Sequence, residues 1–262
     1  MDLQGWTESR GTYWTTYTAI RFYHNNSNPT QSKTAGGWSF NLPTYYLIDA
    51  FGNNDVRETG LNSTPVDPRL DPRFTTTIGE PGDTVYLFDS DDGYGWYNMS
   101  FENLPTNTIS RKYECSPEEY WDQRTNDNEG PMNLRQIRYA DVVLMAAEAA
   151  YGTGDLTAAL DYINMVRTRA RMSGNTVYPE NLSAISFEDI VHERRLELAM
   201  EGHRFFDLVR WGLADEFIGE TNLAVYPGFV VDFVPGKHEF FPIPLTEVQL
   251  SLGALEQYTA WR

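Results

Sequence analysis

The feature that most constrains the fold of this chain is a stretch of helical periodicity between residues 138 and 212. Apolar residues recur there at steps of three and four, which is typical of helices with one buried face. Residues 152–154 (Gly-Thr-Gly) interrupt the first helix. Asp155 follows, where an N-cap carboxylate would accept hydrogen bonds from the next helix. A linker this short predicts two helices that fold back on each other as an antiparallel hairpin.

Each predicted helix has one set of apolar side chains that we expect to face the core. A third helix is predicted to begin near Phe187, with Ser186 as its N-cap. The predicted core residues are Tyr139, Val142, Val143, Ala146, Ala149 and Ala150 in the first helix, Leu156, Ala159, Leu160, Ile163, Val166 and Ala170 in the second, and Ile190, Val191, Leu196, Leu198 and Ala199 in the third. The alanines of the first helix would let the two hairpin backbones approach closely.

The first half of the chain has a different character. Most of the tryptophans and tyrosines lie there, and turn-forming residues interrupt every short periodic run. A short helix is predicted over residues 43–50, and strands over residues 11–21 and 84–88. We therefore predict a loop-rich aromatic layer over residues 1–131 and a helical scaffold with a Pro-rich C-terminal strap over residues 132–262. The two are expected to fold as one unit.

Composition excludes several classes of function. The net charge of −17 and the pI near 4.5 disfavour nucleic acids, anionic lipid surfaces and acidic polysaccharides as partners. Cys115 is the sole cysteine, so no internal disulfide is possible. His192 and Glu193 begin like a zinc-protease helix, but Leu196 stands where the second histidine belongs. No apolar run reaches the length of a membrane-spanning helix.

The charged run over residues 192–204 favours a structural role over a catalytic one. On a helix, Glu197 becomes a neighbour of both Arg194 and Glu201. The two glutamates repel each other, and we expect Arg204 or Arg210 to neutralise them. The prediction is a partly buried ion network, and no catalytic residues are predicted.

The best candidate ligand site lies in the aromatic half, over residues 93–98 (Gly-Tyr-Gly-Trp-Tyr-Asn). Sugar rings stack their C–H faces on indole and phenol rings, while amides bond the hydroxyls, and ligand pockets combine such apolar walls with a few polar groups. The alternative for each ring is to pin a loop against the helices. The candidate ligand-binding residues are Trp96, Tyr94, Tyr97 and Asn98, with Trp38 and Trp14 as second choices.

The acidic turn at residues 89–93 is weakly similar to a calcium loop. Counted from Asp89, the sixth position is Tyr94 and the twelfth is Ser100, where such a loop needs Gly and Glu. Counted from Asp91, Glu102 falls twelfth, but glycines occupy two ligand positions. We predict no metal or cofactor, with calcium as the weaker alternative.

Several segments, in order along the chain, resemble the SusD/RagB family. They are residues 42–52 (LPTYYLIDAFG), 67–74 (DPRLDPRF), 138–149 (RYADVVLMAAEA), 159–171 (ALDYINMVRTRAR), 192–212 (HERRLELAMEGHRFFDLVRWG) and 237–250 (KHEFFPIPLTEVQL). The resemblance implies a mainly α fold with tetratricopeptide-like helical pairs. It also implies that this chain is the C-terminal portion of a longer protein, since the first residues lack the features of a signal peptide.

The resemblance further implies a function. SusD/RagB proteins are surface lipoproteins of the outer membrane that capture nutrients, usually glycans, for a TonB-dependent transporter. We therefore expect non-catalytic capture of an oligosaccharide and delivery to a SusC-like barrel, with the lipid anchor outside this chain. The alternatives are a peptide-binding version of the same protein and a glycoside hydrolase. A helical interaction scaffold without a small ligand is a weaker one.

Overall fold

The protein is mainly helical with short strands, as predicted, in a computed structural model that describes residues 22–24, 32–34, 41–52, 67–89, 93–100, 104, 106–112, 135–174, 176–218, 224–226, 229–230 and 233–262. The α-helices are α1 (Tyr45–Phe51), α2 (Pro72–Thr77), α3 (Tyr139–Gly152), α4 (Leu156–Gly174), α5 (Phe187–Glu197), α6 (Arg204–Trp211), α7 (Ala214–Ile218) and α8 (Leu245–Leu250). The strands are β1 (Phe22–His24), β2 (Ser32–Thr34), β3 (Ile78–Gly79), β4 (Thr84–Asp89), β5 (Gly93–Ser100), β6 (Ile109–Ser110), β7 (Ala224–Tyr226) and β8 (Phe229–Val230). None of the helices in this part of the chain is long and apolar enough to cross a membrane.

Helices α3 and α4 form the predicted hairpin. Asp155 caps α4, because its Oδ1 accepts a hydrogen bond from the backbone N–H of Ala158 at 3.0 Å. Four of the six core residues predicted for α4 are buried, while Leu156 is exposed and Leu160 is half-buried. The shared core cluster consists of Val143, Leu144, Ala147, Ile163, Val166, Ile190 and Leu198.

The predicted core face of α3 was correct only in part. Val143 is buried as predicted, together with Leu144 and Ala147. Tyr139, Val142 and Ala149 were also predicted as core, but they are exposed. The helix is apolar on nearly every side, so its periodicity does not define which side faces the core. Its exposed apolar stripe consists of Tyr139, Val142 and Met145.

Helix α5 begins as predicted and ends earlier than the apolar pattern. Ser186 and Asp189 form a capping box, in which the Ser186 Oγ accepts from the Asp189 N–H at 3.2 Å and the Asp189 carboxylate accepts from the Ser186 N–H at 2.8 Å. All five predicted core residues from Ile190 to Ala199 are buried. The helix stops at Glu197, and Met200 and Gly202 take positive φ in the turn that follows.

A four-stranded antiparallel sheet occupies the half of the chain that was predicted to be loop-rich. Its strand order is β2-β1-β5-β4, so the eight-residue β5 lies between β1 and β4. The buried side of β5 packs through Met99 against Ile109 of β6, with Leu42, Val85 and Leu104 around them. The strand predicted over residues 11–21 lies outside the described residues.

A buried ion network joins the DPRF segment to the helices. The Arg73 guanidinium lies 2.7 Å from Asp71 (Nη2 to Oδ2) and 2.6 Å from Glu193 (Nη1 to Oε1). The second oxygen of Glu193 accepts from Arg167 Nη1 of α4 at 2.8 Å. Arg73 also reaches Glu197 Oε2 at 3.2 Å, so one arginine connects α2 with two successive turns of α5.

The partners of the α5 glutamates differ from those predicted. Arg138 binds Glu197 Oε1 at 2.6 Å and Glu201 Oε2 at 2.7 Å, and so neutralises both members of the repulsive pair. Arg210, one of the two predicted partners, instead pairs with Asp207 at 2.9 Å within its own helix. The neutralising charges come from segments far away in sequence, which helical spacing does not show.

Burial and pairing act in opposite directions on Glu193. Burial raises its pKa, but the positive charges of Arg73 and Arg167 outweigh that effect, so the pKa lies below its ordinary value. The carboxylate is therefore ionised in the folded protein at neutral pH, and its burial depends on keeping both arginines in place.

Contacts divide the chain into two compact units, Met1–Gly202 and His203–Arg262. The boundary expected between residues 131 and 132 falls among residues that the structure does not describe, and it stays a prediction. Residues on both sides of it share one core cluster, made of Leu47, Ala50, Phe51, Phe74, Ile78, Leu196 and Ala199. The second unit has a core of its own, made of Leu208, Ala214 and Phe233, and it contains the Pro-rich segment before α8.

Gly174, at the end of α4, provides a test of how closely this helix approaches α2. A Cβ added there would lie 2.2 Å from Pro72 Cγ, whereas one added at Gly152, at the end of α3, would have no atom within 4 Å. We predict that Gly174→Ala lowers the free energy of unfolding by about 1–3 kcal/mol. Gly152→Ala should leave it unchanged or raise it by less than about 1 kcal/mol. Urea denaturation followed by circular dichroism measures both, and equal stabilities would contradict the close approach.

Replacing Glu193 tests the ion network through its pH dependence. Glu193→Gln should cost about 3–5 kcal/mol near neutral pH, because it removes a charged partner of the buried Arg73 and of the partly buried Arg167. The folded-state pKa of Glu193 is depressed, so its contribution is present above its ordinary pKa of 4.5 and is lost as pH falls through the lower folded value. The stability gap between wild type and Glu193→Gln should therefore stay constant above the ordinary pKa and narrow as the pH falls below 4.5 in urea titrations.

The matched control for this change is Glu188→Gln on the exposed face of the same helix. Its stability should differ from wild type by less than about 0.5 kcal/mol at neutral pH. A gap for Glu193→Gln that stays constant on acidification would show that its carboxylate is not bound in the way described.

Candidate functional site

The exposed face of β5 carries Trp96 and Asn98, two of the predicted ligand-binding residues. The indole of Trp96 is 62% exposed, and Asn98 is exposed as well. Tyr97 and Met99, which alternate with them, are buried at 1% and 4% exposure. Because side chains two positions apart point to the same side of a strand, an aromatic ring and an amide stand about 6.6 Å apart on one surface. We call this surface the Trp96 face.

The backbone beneath the Trp96 face is held by neighbouring strands. Trp96 is in register with Tyr86 of β4, and Asn98 is in register with Thr84 of β4 on one side and His24 of β1 on the other. A residue in the interior of a sheet has little backbone freedom to lose when a ligand binds. The Trp96 face is therefore a pre-formed surface.

The predicted setting of this segment was wrong. Residues 93–98 were interpreted as a turn-rich loop because of the two glycines, but they belong to an eight-residue strand. A Cβ added at Gly95 would lie 3.5 Å from the Tyr97 Oη, which is an ordinary van der Waals contact, so the Tyr97 ring lies over Gly95.

The other predicted ligand-binding residues are Tyr97, Tyr94, Trp38 and Trp14. Tyr97 lies on the buried side of β5, so its ring packs in the interior and cannot stack on a ligand at the Trp96 face. Strand periodicity is the physical reason, because adjacent residues point to opposite sides. Tyr94 lies in β5 as well, and its side chain is outside the described part. Trp38 and Trp14 also fall outside the described residues, so their role stays a prediction.

A second candidate site is a cationic cavity of about 320 Å³ that sequence analysis did not identify. It lies in the first unit beside the ion network. Its lining residues are Arg73, Thr76, Lys112, Arg135, Arg138, Arg169, Ser173, Glu197 and Glu201. These residues come from α2, α4, α5, the turn after α5 and the segments that precede α3 and follow β6, so no local motif shows them.

The electrostatics of the cavity depend on buried, paired charges. Lys112 Nζ lies 3.0 Å from Glu201 Oε1 and donates to the Glu197 carbonyl oxygen at 3.2 Å. Burial lowers the pKa of Lys112, and the attraction of Glu201 only partly offsets it. Burial also raises the pKa of Glu201, but hydrogen bonding to Arg138 and the charge of Lys112 bring the net shift below its ordinary value. The pKa of Arg138 lies above its ordinary value, because Glu201 and Glu197 raise it more than burial lowers it.

Metal ligation receives no support from the residues described. No group of three or more His, Cys, Asp or Glu side chains in that part of the chain is arranged to hold an ion. Asp89 pairs with Gly93 at the end of the β4–β5 ladder, and residues 90–92 lie outside the described ranges. The weak calcium alternative therefore stays untested.

Comparison with curated proteins finds SusD-like relatives. SusD-like protein P2 of Formosa agariphila is 36% identical over 200 residues, which cover 74% of this chain and 35% of that protein. A SusD-like protein of Bacteroides ovatus is 29% identical over 129 residues, which cover 48% of this chain and 21% of the relative. This chain thus spans about a third or less of the length of these relatives.

Comparison with solved structures finds the same fold. A laminarin binding SusD-like protein superposes with a TM-score of 0.63 at 26% identity, over 95% of this chain and 44% of that one. Surface glycan-binding protein A from Bacteroides thetaiotaomicron gives a TM-score of 0.55 at 21% identity, over 93% of this chain and 50% of its own. At 21% identity, the second comparison shows only that the two proteins share a fold.

The length of the match to a family profile identifies the family of this chain. The sequence profile of the SusD family covers residues 4–261, which is nearly the whole chain. The segments that carry the resemblance include the α3–α4 hairpin and the α5 glutamates that bind Arg73 and Arg138. This chain belongs to the SusD family.

Proposed function

We propose that this chain captures an oligosaccharide on the Trp96 face, without catalysis, as part of nutrient uptake at the cell surface. The observation that carries the proposal is the exposed Trp96 indole beside the Asn98 amide on a strand paired on both sides at Asn98. The exposed indole offers a flat apolar face to a ligand, which makes this ring a candidate binding element.

The chemistry of the Trp96 face suits a sugar. An indole offers a flat apolar surface with electron density on its face, on which the C–H groups of a pyranose ring can stack. An amide donates and accepts hydrogen bonds, so Asn98 can pair with neighbouring hydroxyl groups. Stacking with a few placed hydrogen bonds gives affinity without any covalent step.

The relatives suggest which glycan to test first. One solved relative, at 26% identity, is described as binding laminarin. Another solved structure of the same fold is described as a surface glycan-binding protein. We therefore propose laminarin-derived oligosaccharides as the first ligand class, and neutral glycans in general as the wider one.

Membership of the family also supports a place in transport. We propose that the full-length protein sits at the surface of the outer membrane on a lipid anchor. There it would pass its ligand to a SusC-like, TonB-dependent transporter. The support is the family match over residues 4–261 together with the resemblance described above.

The most deeply buried carboxylates do not suit a glycosidase. Such an enzyme uses two acids across a cleft, one of them with a raised pKa. Asp71 and Glu193 are fully buried and bound to arginine, and Glu197 is bound to Arg73 and Arg138. Arg73 and Arg167 hold the pKa of Glu193 below its ordinary value, which is the opposite of what a general acid needs.

The proposal predicts that Trp96 dominates the affinity. In isothermal titration calorimetry with laminarin oligosaccharides, Trp96→Ala should weaken binding by about 10- to 30-fold, the effect of truncating a central aromatic contact. Asn98→Ala should weaken it by about 3- to 10-fold, the cost of one lost hydrogen bond. Trp96→Phe, which keeps a ring, should retain most of the affinity.

Phe241→Ala is the matched control, since Phe241 is 90% exposed and lies in the second unit. It should bind as wild type does. If Trp96→Ala bound the oligosaccharides as tightly as wild type does, the binding site would not lie on the Trp96 face. Extended peptides that bind while no oligosaccharide competes would favour the peptide-binding alternative, and sugar release from laminarin would favour a hydrolase.

A further inference from the structure

The cationic cavity has more positive charge than its buried network requires. The charged groups of the ion network pair with one another. They are four carboxylates and four cations, namely Asp71, Glu193, Glu197 and Glu201 with Arg73, Lys112, Arg138 and Arg167. This set is neutral. Two further arginines, Arg135 and Arg169, line the cavity in addition to it.

Neither extra arginine is neutralised closely. The Arg169 side chain is 70% exposed, and its Nη1 lies 3.9 Å from Glu197 Oε1, an oxygen that Arg138 already holds at 2.6 Å. Arg135 is exposed and has no ion pair within the part of the chain that the structure describes. Within the described residues, the cavity therefore has one guanidinium group without an ion pair, that of Arg135, and one held only loosely, that of Arg169, in a chain whose net charge is −17.

The hydroxyl groups in the lining do not supply further donors. Ser173 Oγ donates to the Ala170 carbonyl oxygen at 2.7 Å, and Thr76 Oγ1 donates to the Arg73 carbonyl oxygen at 3.1 Å. Binding would therefore depend on the arginines. A guanidinium group presents a planar fork of N–H donors that fits the oxygens of a carboxylate or a sulfate.

Two other observations agree with an anionic occupant. A cavity of about 320 Å³ lies at the small end of the range for ligand pockets, so it suits one sugar-sized unit. Burial lowers the pKa of Lys112 and Glu201 only partly offsets this, so a further anion beside the ammonium group would favour its charged form.

We propose that this cavity binds the oxyanion group of a sugar-sized ligand, a carboxylate or a sulfate, with Arg135 and Arg169 as its principal donors. The inference reverses the expectation from net charge that acidic saccharides are excluded, because local charge at a concave site outweighs the distant, screened charges. It does not depend on the Trp96 face, since the lining of the cavity contains neither Trp96 nor Asn98.

The test uses two anionic probes and one neutral one on the 262-residue chain. Calorimetry would measure the binding of sodium sulfate, sodium glucuronate and glucose, with sodium chloride added to match ionic strength. We expect saturable binding of glucuronate, of sulfate or of both, and none of glucose at this site. Binding of sulfate and glucuronate would indicate a general oxyanion site, and binding of glucuronate alone would indicate a sugar carboxylate.

Variants assign the binding to the two arginines. The double variant Arg135→Gln with Arg169→Gln should lose at least about tenfold in affinity, and each single variant about threefold or more, since charge-assisted hydrogen bonds to a carboxylate are strong. The single variants cover the case in which the double variant does not fold. Arg262→Gln removes an exposed arginine outside the cavity and should have no effect.

Two results would overturn the proposal. One is the absence of saturable binding by either anion, and the other is equal affinity in wild type and in the folded double variant. Neither result bears on the neutral oligosaccharide proposed for the Trp96 face, so the failure of one site is distinguishable from the failure of the other.

Discussion

The buried guanidinium of Arg73 is the interaction on which the arrangement of the first unit depends. It lies 120 residues before Glu193 in the chain, yet the two are in direct contact at 2.6 Å. A buried ion pair contributes little net stability, because desolvation offsets most of the attraction, but an unpaired buried charge costs several kcal/mol. Packing α2 against α5 gives Arg73 and Glu193 their full set of partners, so the network favours this arrangement of the helices over its competitors.

A chain of contacts leads from this network to the Trp96 face. Helix α2 runs directly into β3, where Gly79 packs so closely that an added Cβ would lie 2.9 Å from Ile109 Cγ1 and 3.1 Å from Met99 Sδ. Met99 belongs to the buried side of β5, and Trp96 to the exposed side of the same strand. The position of the indole is thus determined by close packing behind it, which is the condition for a binding surface that needs no rearrangement.

Sequence predicted the local features well and the long-range ones poorly. The caps at Asp155 and Ser186 follow from a polar side chain at a helix start, and the buried face of α4 follows from its amphipathic spacing. The buried face of α3 could not be predicted, because apolar residues occur on nearly every side of that helix. The strand at residues 93–100 was obscured by glycines, and the partners of the α5 glutamates come from segments 26 to 124 residues away. Pairing over such distances leaves no periodic signal in a single sequence.

The exposed stripe of Tyr139, Val142 and Met145 on α3 bears on how molecules of this chain behave towards each other. Apolar patches attract one another at short range, whereas a net charge of −17 repels at longer range. The Debye length falls from about 30 Å at 0.01 M salt to about 10 Å at 0.1 M. Colloidal stability of the purified chain is therefore set by salt, with dilute buffer keeping copies apart and concentrated salt bringing the stripes within reach of each other.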